Sequence, residues 1–113
     1  MLNARIAAMN RFDAEAIAAL YSQNAVMEEI EAGVPRVVSR GHDQILDRFR
    51  FLTDGARASG IQLRTGTTTQ IGSYVAQTNS MSSGGAIDGQ GILVFRLDES
   101  GKIAHEWVII GPP

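Results

Sequence analysis

Residues 90–110 read QGILVFRLDESGKIAHEWVII, and their punctuation decides the fold. Two runs rich in β-branched and aromatic residues, 90–97 and 102–110, flank Asp98-Glu99-Ser100-Gly101, a cluster of turn formers. That pattern predicts an antiparallel hairpin. Upstream the pattern repeats: residues 61–71 and 74–82 are strand-like, with breaks at Gly72-Ser73 and Ser83-Gly84-Gly85. The second half is therefore predicted to be consecutive strands.

The first half has a different period. Leu2, Ile6, Met9 and Phe12 fall at helical spacing. Asp13 is placed to cap the next helix, since its carboxylate can accept from the free amides of a first turn. Ala14-Glu15-Ala16-Ile17-Ala18-Ala19-Leu20-Tyr21 is rich in helix formers, with Ile17, Leu20 and Tyr21 on one face, and Ser22-Gln23-Asn24 is read as its end. A short alternating stretch then puts Ala25, Met27 and Glu29 on one side and Val26, Glu28 and Ile30 on the other. Gly33-Val34-Pro35 reads as a turn and Val37-Val38 as a return strand. After Gly41 the helical period resumes at Ile45, Leu46, Phe49 and Leu52, with Asp43 complementing the helix dipole and Gly55 and Gly60 bracketing the exit. Helices first and adjacent strands second predict an α+β domain: three N-terminal helices packed in a curved antiparallel sheet.

The chain has 113 residues, 44% apolar and 19% charged, which suits one ordered domain over 1–113. Its net charge of −2 supplies no footprint for nucleic acid or an anionic membrane. The arginines at 48, 50, 57 and 64 are interrupted by Asp47 and Asp54 and read as a solvated helix face. There is no cysteine, so thiolate chemistry, disulfides and cysteine metal sites are excluded. No apolar run approaches the roughly 20 residues of a spanning helix, and the start lacks a signal-peptide core, so a cytoplasmic location is expected. Two separated histidines without HExxH-type spacing give no metal site, and Gly84-Gly85 and Gly89-Gln90-Gly91 precede no helix, so they form no phosphate loop. No cofactor is expected.

Residues 65–80 hold an unusual run of uncharged polar side chains: Thr65, Thr67, Thr68, Thr69, Gln70, Gln77, Thr78, Asn79 and Ser80. Either this is an ordinary exposed sheet face, or it is a wet interface, which are often polar without being charged. We expect the interface, and hence a homodimer through the sheet face.

The order of elements resembles the nuclear transport factor 2-like superfamily, and its SnoaL-like and ketosteroid-isomerase-like branches most of all. The residues that carry the resemblance are 13–21 followed by Ala25-Val26, then Arg40-Gly41-His42-Asp43-Gln44-Ile45, then 91–98 with Gly101-Lys102-Ile103. The resemblance implies a cone-shaped α+β barrel whose open end admits a small apolar molecule, and two sheets packed face to face. Similar cones serve as isomerases, cyclases, epoxide hydrolases, dehydratases and plain binding domains, so the fold alone does not give the activity.

Glu29 shares a strand face with Met27, and the resemblance places it at the position of a carboxylate base. An apolar pocket disfavours the charged form of a carboxyl group, which is the condition a proton-abstracting base needs. The alternative is a solvent-facing acid in the run Glu28, Glu29, Glu31. The rest of that isomerase site is missing: the family's tyrosine donor maps onto Arg5 and its protonated aspartate onto Leu93. The acid that SnoaL-like cyclases often carry near the end of the last strand is also missing from Ile109-Ile110-Gly111-Pro112-Pro113.

His105, in phase with Ile103, Trp107 and Ile109, is a candidate acid–base or a half-buried structural histidine. His42 reads as a surface residue. Tyr21 carries a hydroxyl that needs a partner if buried, which makes it a candidate donor. Met27, Phe49, Met81, Leu93, Phe95 and Trp107 are the candidate pocket lining, with core packing as the alternative. Two functions stay open: a cofactor-independent isomerase, cyclase or lyase using Glu29, and a non-catalytic ligand-binding or dimerisation module.

Overall fold

A computed structural model describes residues 2–83 and 86–110. In chain order the elements are α1 (Leu2–Asn10), α2 (Ala14–Ala18), β1 (Tyr21–Glu31), β2 (Val34–Arg40), α3 (Gly41–Ser59), β3 (Gln62–Ile71), β4 (Tyr74–Ser83), β5 (Ala86–Leu97) and β6 (Ile103–Ile110). Three helices pack against a curved six-stranded sheet in the order β2-β1-β6-β5-β4-β3. The α+β prediction therefore holds. Of the predicted breaks, Gly84 and Gly85 lie outside the described residues, as do Gly111, Pro112 and Pro113.

Asp13 caps α2 as expected, accepting from the Ala16 amide at 3.1 Å. The helix is shorter than its composition suggests, and Tyr21 opens β1 instead of closing α2. The Ile103 amide donates to the Leu20 carbonyl at 2.9 Å, and Tyr21 pairs with Ile103. The sheet thus captures the chain before a second helical turn forms, and Ser22-Gln23-Asn24 continue the strand rather than break a helix. A helix of little more than one turn has scarcely any intrinsic stability to set against that pairing. Further on, α3 buries Ile45, Phe49 and Thr53, which are four residues apart on one face. It ends at Gly60, whose φ of 68° is the left-handed cap that glycine adopts without strain. Gly55 lies inside the helix.

Four of the five strand pairings are antiparallel, as predicted, while β1 and β6 run parallel. The exception arises because β2, α3 and the hairpin-linked β3, β4 and β5 separate β1 from β6, so the last strand returns beside the first in the same direction. The sheet does not close into a barrel and leaves β2 and β3 as edges. The β1–β2 turn is Ala32-Gly33, with φ of 52° and 77°, and Val34 and Pro35 belong to β2.

Two bulges matter. In β6, Arg96 pairs with His105 and Leu97 with Ile103, which leaves Ala104 as an extra residue. In β3 the register slips between Thr65 and Thr68; a Cβ on Gly66 would lie 2.3 Å from Thr78 Oγ1, which itself accepts from the Thr67 amide at 2.7 Å. Only glycine fits there. Ile17, Tyr21, Ile45, Phe49, Phe95 and Ile103 are almost wholly buried between helices and sheet. Burying a side chain of this kind is worth about 1.5–3 kcal/mol. Among the described residues no helix is long and apolar enough to cross a membrane.

Candidate functional site

The strand registers stack the inward side chains into rows. Met27, Glu106, Phe95 and Val75 form the deepest row; Glu29, Val108, Leu93 and Gln77 form the next; Ile110, Gly91 and Asn79 lie beyond. Over these rows α1, α3 and Leu63 of β3 enclose a cavity of about 300 Å³, at the small end of the range for ligand sites. Met9, Met27, Phe49, Leu52, Met81 and Leu93 give it apolar walls, and Arg5, Glu29, Arg48, Asn79, Gln90 and Glu106 are the polar residues among them. Of the residues singled out from the sequence, Glu29, Met27, Phe49, Met81 and Leu93 meet here.

At the deep end lies a buried cluster. Arg5 Nε donates to the Tyr21 hydroxyl at 3.1 Å, Arg5 Nη2 donates to Glu106 Oε2 at 3.3 Å, and the Tyr21 hydroxyl donates to Glu106 Oε1. All three residues are no more than 2% exposed. The Arg5 guanidinium also lies 5.2 Å from the Phe95 ring centre and 5.9 Å from that of Phe49, close enough for cation–π attraction. Burial works against the Arg5 charge, but Tyr21 and Glu106 more than offset it and hold its pKa above the ordinary value. Burial pushes the Tyr21 hydroxyl well above its usual pKa; Arg5 opposes the shift and Glu106 adds to it. Tyr21 is therefore a neutral donor already committed to Glu106, and it stands behind the cavity wall. Phe95, fully buried beneath Arg5, is likewise core rather than lining.

Glu29 is held from two sides. Arg36, its cross-strand neighbour, donates from Nη2 to Oε1 at 3.0 Å, and Arg48 of α3 donates from Nη2 to Oε2 at 2.7 Å. Its side chain is 15% exposed. The sequence leaves open a carboxylate among apolar groups or a solvent-facing acid; the structure gives a part-buried carboxylate flanked by two guanidinium groups.

His105 and Trp107 are on the opposite face of the sheet. The extra residue at Ala104 reverses the alternation, so that Ile103 and Glu106 point toward the helices and His105 away from them. There the His105 ring stacks on Trp107, with centroids 4.0 Å apart, and its Nε2 meets Glu28 Oε2 at 2.5 Å. Neither residue lines the cavity. The same bulge hid Glu106, which strict alternation from Ile103 assigns to the outer face. Arg48 was passed over as one of several helix-surface arginines. Among the described residues no group of three or more histidines or acids is placed to hold a metal.

A second, shallower concavity of about 700 Å³ lies over β3–β6, and Arg64, Thr78, Ser80, Ile92 and Ile109 line it. Alternation puts Ala76, Thr78 and Ser80 outward and Gln77 and Asn79 inward, where Gln77 Nε2 donates to Thr68 Oγ1 at 3.2 Å. The polar run is thus shared between both faces of the sheet.

Residues 2–106 match the family model described as the SnoaL-like domain. No curated protein sequence matches the chain. Similar solved structures include a protein with a cystatin-like fold from Methylobium petroleophilum PM1, with a TM-score of 0.77 and 17% identity over 99% of this chain and 74% of that one. The epoxide hydrolase/cyclase-like enzyme SalBIII, of pyran ring formation in salinomycin, gives 0.74 and 20% over 97% and 87%. A ketosteroid isomerase-like protein from Kribbella flavida DSM 17836 gives 0.75 and 13% over 99% and 76%. Likeness at these identities speaks for the fold alone.

Proposed function

This chain belongs to the SnoaL-like domain family, and from that premise we propose that it binds a small, mainly apolar molecule in the 300 Å³ cavity and moves a proton on it without a cofactor. The reaction would be of the isomerase, cyclase or lyase type, with Glu29 as the base. One observation carries this reading: Glu29 lines the cavity midway along its floor, and Arg36 and Arg48 fix its orientation. A positioned base contributes about 10²–10⁴-fold to a proton transfer. The likeness of the fold to a cyclase-like enzyme and a ketosteroid isomerase-like protein supports this reading.

A second reading has its own support. Both Glu29 oxygens already accept from guanidinium groups, an engagement that suits a module that binds without turnover. Exchange of the C1 hydrogens of 2-tetralone in deuterium oxide, followed by NMR, separates the two. With Glu29 as base, Glu29→Gln slows exchange about 100-fold or more and leaves the tetralone affinity within about twofold. Equal exchange by both proteins removes Glu29 from the mechanism, and binding with no exchange above buffer selects the non-catalytic module.

Thr69, Thr78 and Ser80, outward residues of β3 and β4 that are polar but uncharged, support a further part of the proposal: a homodimer through the outer sheet face, over the second concavity.

A further inference from the structure

The chain has four methionines and no cysteine. With thiols absent, methionine sulfur is the group a mild peroxide attacks first. Met1 lies outside the described residues, and the other three, Met9, Met27 and Met81, all line the 300 Å³ cavity. Their access to solvent differs. Met27 is 2% exposed, Met9 is half-buried and Met81 is 43% exposed. The register accounts for the last value: Leu63 flanks Met81 on β3, but its β5 partner is Gly89, which has no side chain to lie against it. Among the described residues, Leu52 and Ile110 are the other large apolar side chains that both line the cavity and stand open to solvent. These three mark its mouth.

Of the three, only Met81 can change polarity while staying the same residue. Oxidation turns a thioether into a sulfoxide, whose oxygen is a strong hydrogen-bond acceptor. Open to water, that oxygen is hydrated. An apolar molecule seated against it strips the water away, and a polar group desolvated without a partner is costly. Asn79, two residues along the same face of β4, offers no ready replacement, since its Nδ2 already turns to the Gln77 carbonyl and side-chain oxygens at 3.4 Å.

We propose that Met81 is an oxidation site that controls entry to the cavity. Its sulfur lone pair attacks one oxygen of hydrogen peroxide; the S–O bond forms, the O–O bond breaks, and the departing oxygen takes a proton and leaves as water. The thioether is oxidised by two electrons and the peroxide is reduced. The sulfoxide at the mouth then disfavours apolar ligands, and methionine sulfoxide reductases, drawing on a dithiol, restore the open state. This deepens the proposed function and rests on the cavity being a ligand site.

The test treats the whole protein with hydrogen peroxide and follows two readouts. Trypsin leaves each methionine on its own peptide, so mass spectrometry times the gain of one oxygen at each. Met81 should react about tenfold faster than Met27, with Met9 between them. Fluorescence titration with the neutral apolar probe N-phenyl-1-naphthylamine should then show about tenfold weaker binding, reversed by the two methionine sulfoxide reductases with dithiothreitol. Met81→Leu, close in volume, should bind the probe within about twofold of the untreated protein and ignore peroxide. Met81→Gln should bind weakly without any oxidant. Faster oxidation of Met9 or Met27 overturns the site. Unchanged affinity once Met81 is fully oxidised, or a peroxide effect that persists in Met81→Leu, overturns the control of entry and leaves the ligand site standing. No binding of the probe by the untreated protein overturns the ligand site, and this inference with it.

Discussion

Replacing Arg5 by methionine tests the buried cluster on which the cavity floor depends. Methionine keeps an unbranched side chain against Phe49 and Phe95, where sulfur–aromatic contact is favourable, so the packing loss is small. What is lost is the cation. Glu106, 1% exposed, then keeps only the Tyr21 hydroxyl as a partner for its charge. Removing one member of a buried pair costs about 3–5 kcal/mol, because the remaining charge has no compensation. With side-chain exposures of 3% and 1%, solvent screening does not reduce that figure here. Against a total stability of about 5–15 kcal/mol this is a large fraction. It corresponds to a fall in Tm of roughly 10–20 °C for a chain of this size. Glu106→Gln alone should cost a similar amount, since it strands Arg5. The double variant should be much more stable than the sum of the singles implies, with a coupling of about 2 kcal/mol or more. Urea unfolding followed by circular dichroism gives all four corners of the cycle, provided the m-value stays constant. Additive single costs, or an Arg5→Met penalty under about 1 kcal/mol, would mean the pair is wet and weak, and the account given of the cavity floor would fall.

Three further outcomes are expected. Because burial raises the Tyr21 pKa above its ordinary 10, the unfolded chain alone loses that proton as pH passes 10, and stability falls there by up to about 1.4 kcal/mol per pH unit. Tyr21→Phe should flatten the fall in urea midpoint between pH 9 and 11, and an unchanged slope would contradict the assignment. Ala32 sits at φ 52° in a two-residue hairpin turn that favours asparagine at this position. Ala32→Asn should therefore stabilise by about 0.5–1 kcal/mol, seen as a higher Tm, and a lower one would count against the turn. For the proposed homodimer, sedimentation at tens of micromolar should show two chains, and Thr69→Asp with Ser80→Asp on the outer face should split them by like-charge repulsion. A wild-type monomer would end that proposal.

The fold was legible because it rests on periods and punctuation. The hairpin at 98–101, the Asp13 cap and the stripe through Ile45 and Phe49 each state their element locally, and the structure keeps all of them. The errors occur where distant chain decides. Residues 14–21 are helix formers throughout, yet Tyr21 is drawn into the sheet by Ile103, which is 82 positions away and outside any local window. The site was half legible. Glu29, Met27, Met81 and Leu93 on strands and Phe49 on the helical stripe were all legible as candidates, and they line the cavity. His105 and Glu106 exchanged faces because one extra residue, Ala104, reverses the phase without changing composition. Arg5 showed only as a mismatch to a tyrosine position. Its worth depends on Glu106, 101 residues later, and no spacing rule connects them.

A sheet that stops short of closing must end somewhere, and here its two ends are guarded unequally. On β2, Pro35 offers no N–H, and Arg36 and Arg40 place charge along the rim, so another strand finds little to join. On β3 the sole charge is Arg64, and apart from Leu63 and Gly66 the remainder is threonine, glutamine and isoleucine, nearly all exposed. What protects that rim is the kink at Gly66, which breaks the row of free amides and shortens the open template to residues 67–71. Five residues are barely enough to seed a cross-β stack. In concentrated solution, growth of one chain upon another should begin at this stretch, and Gly66 keeps it short.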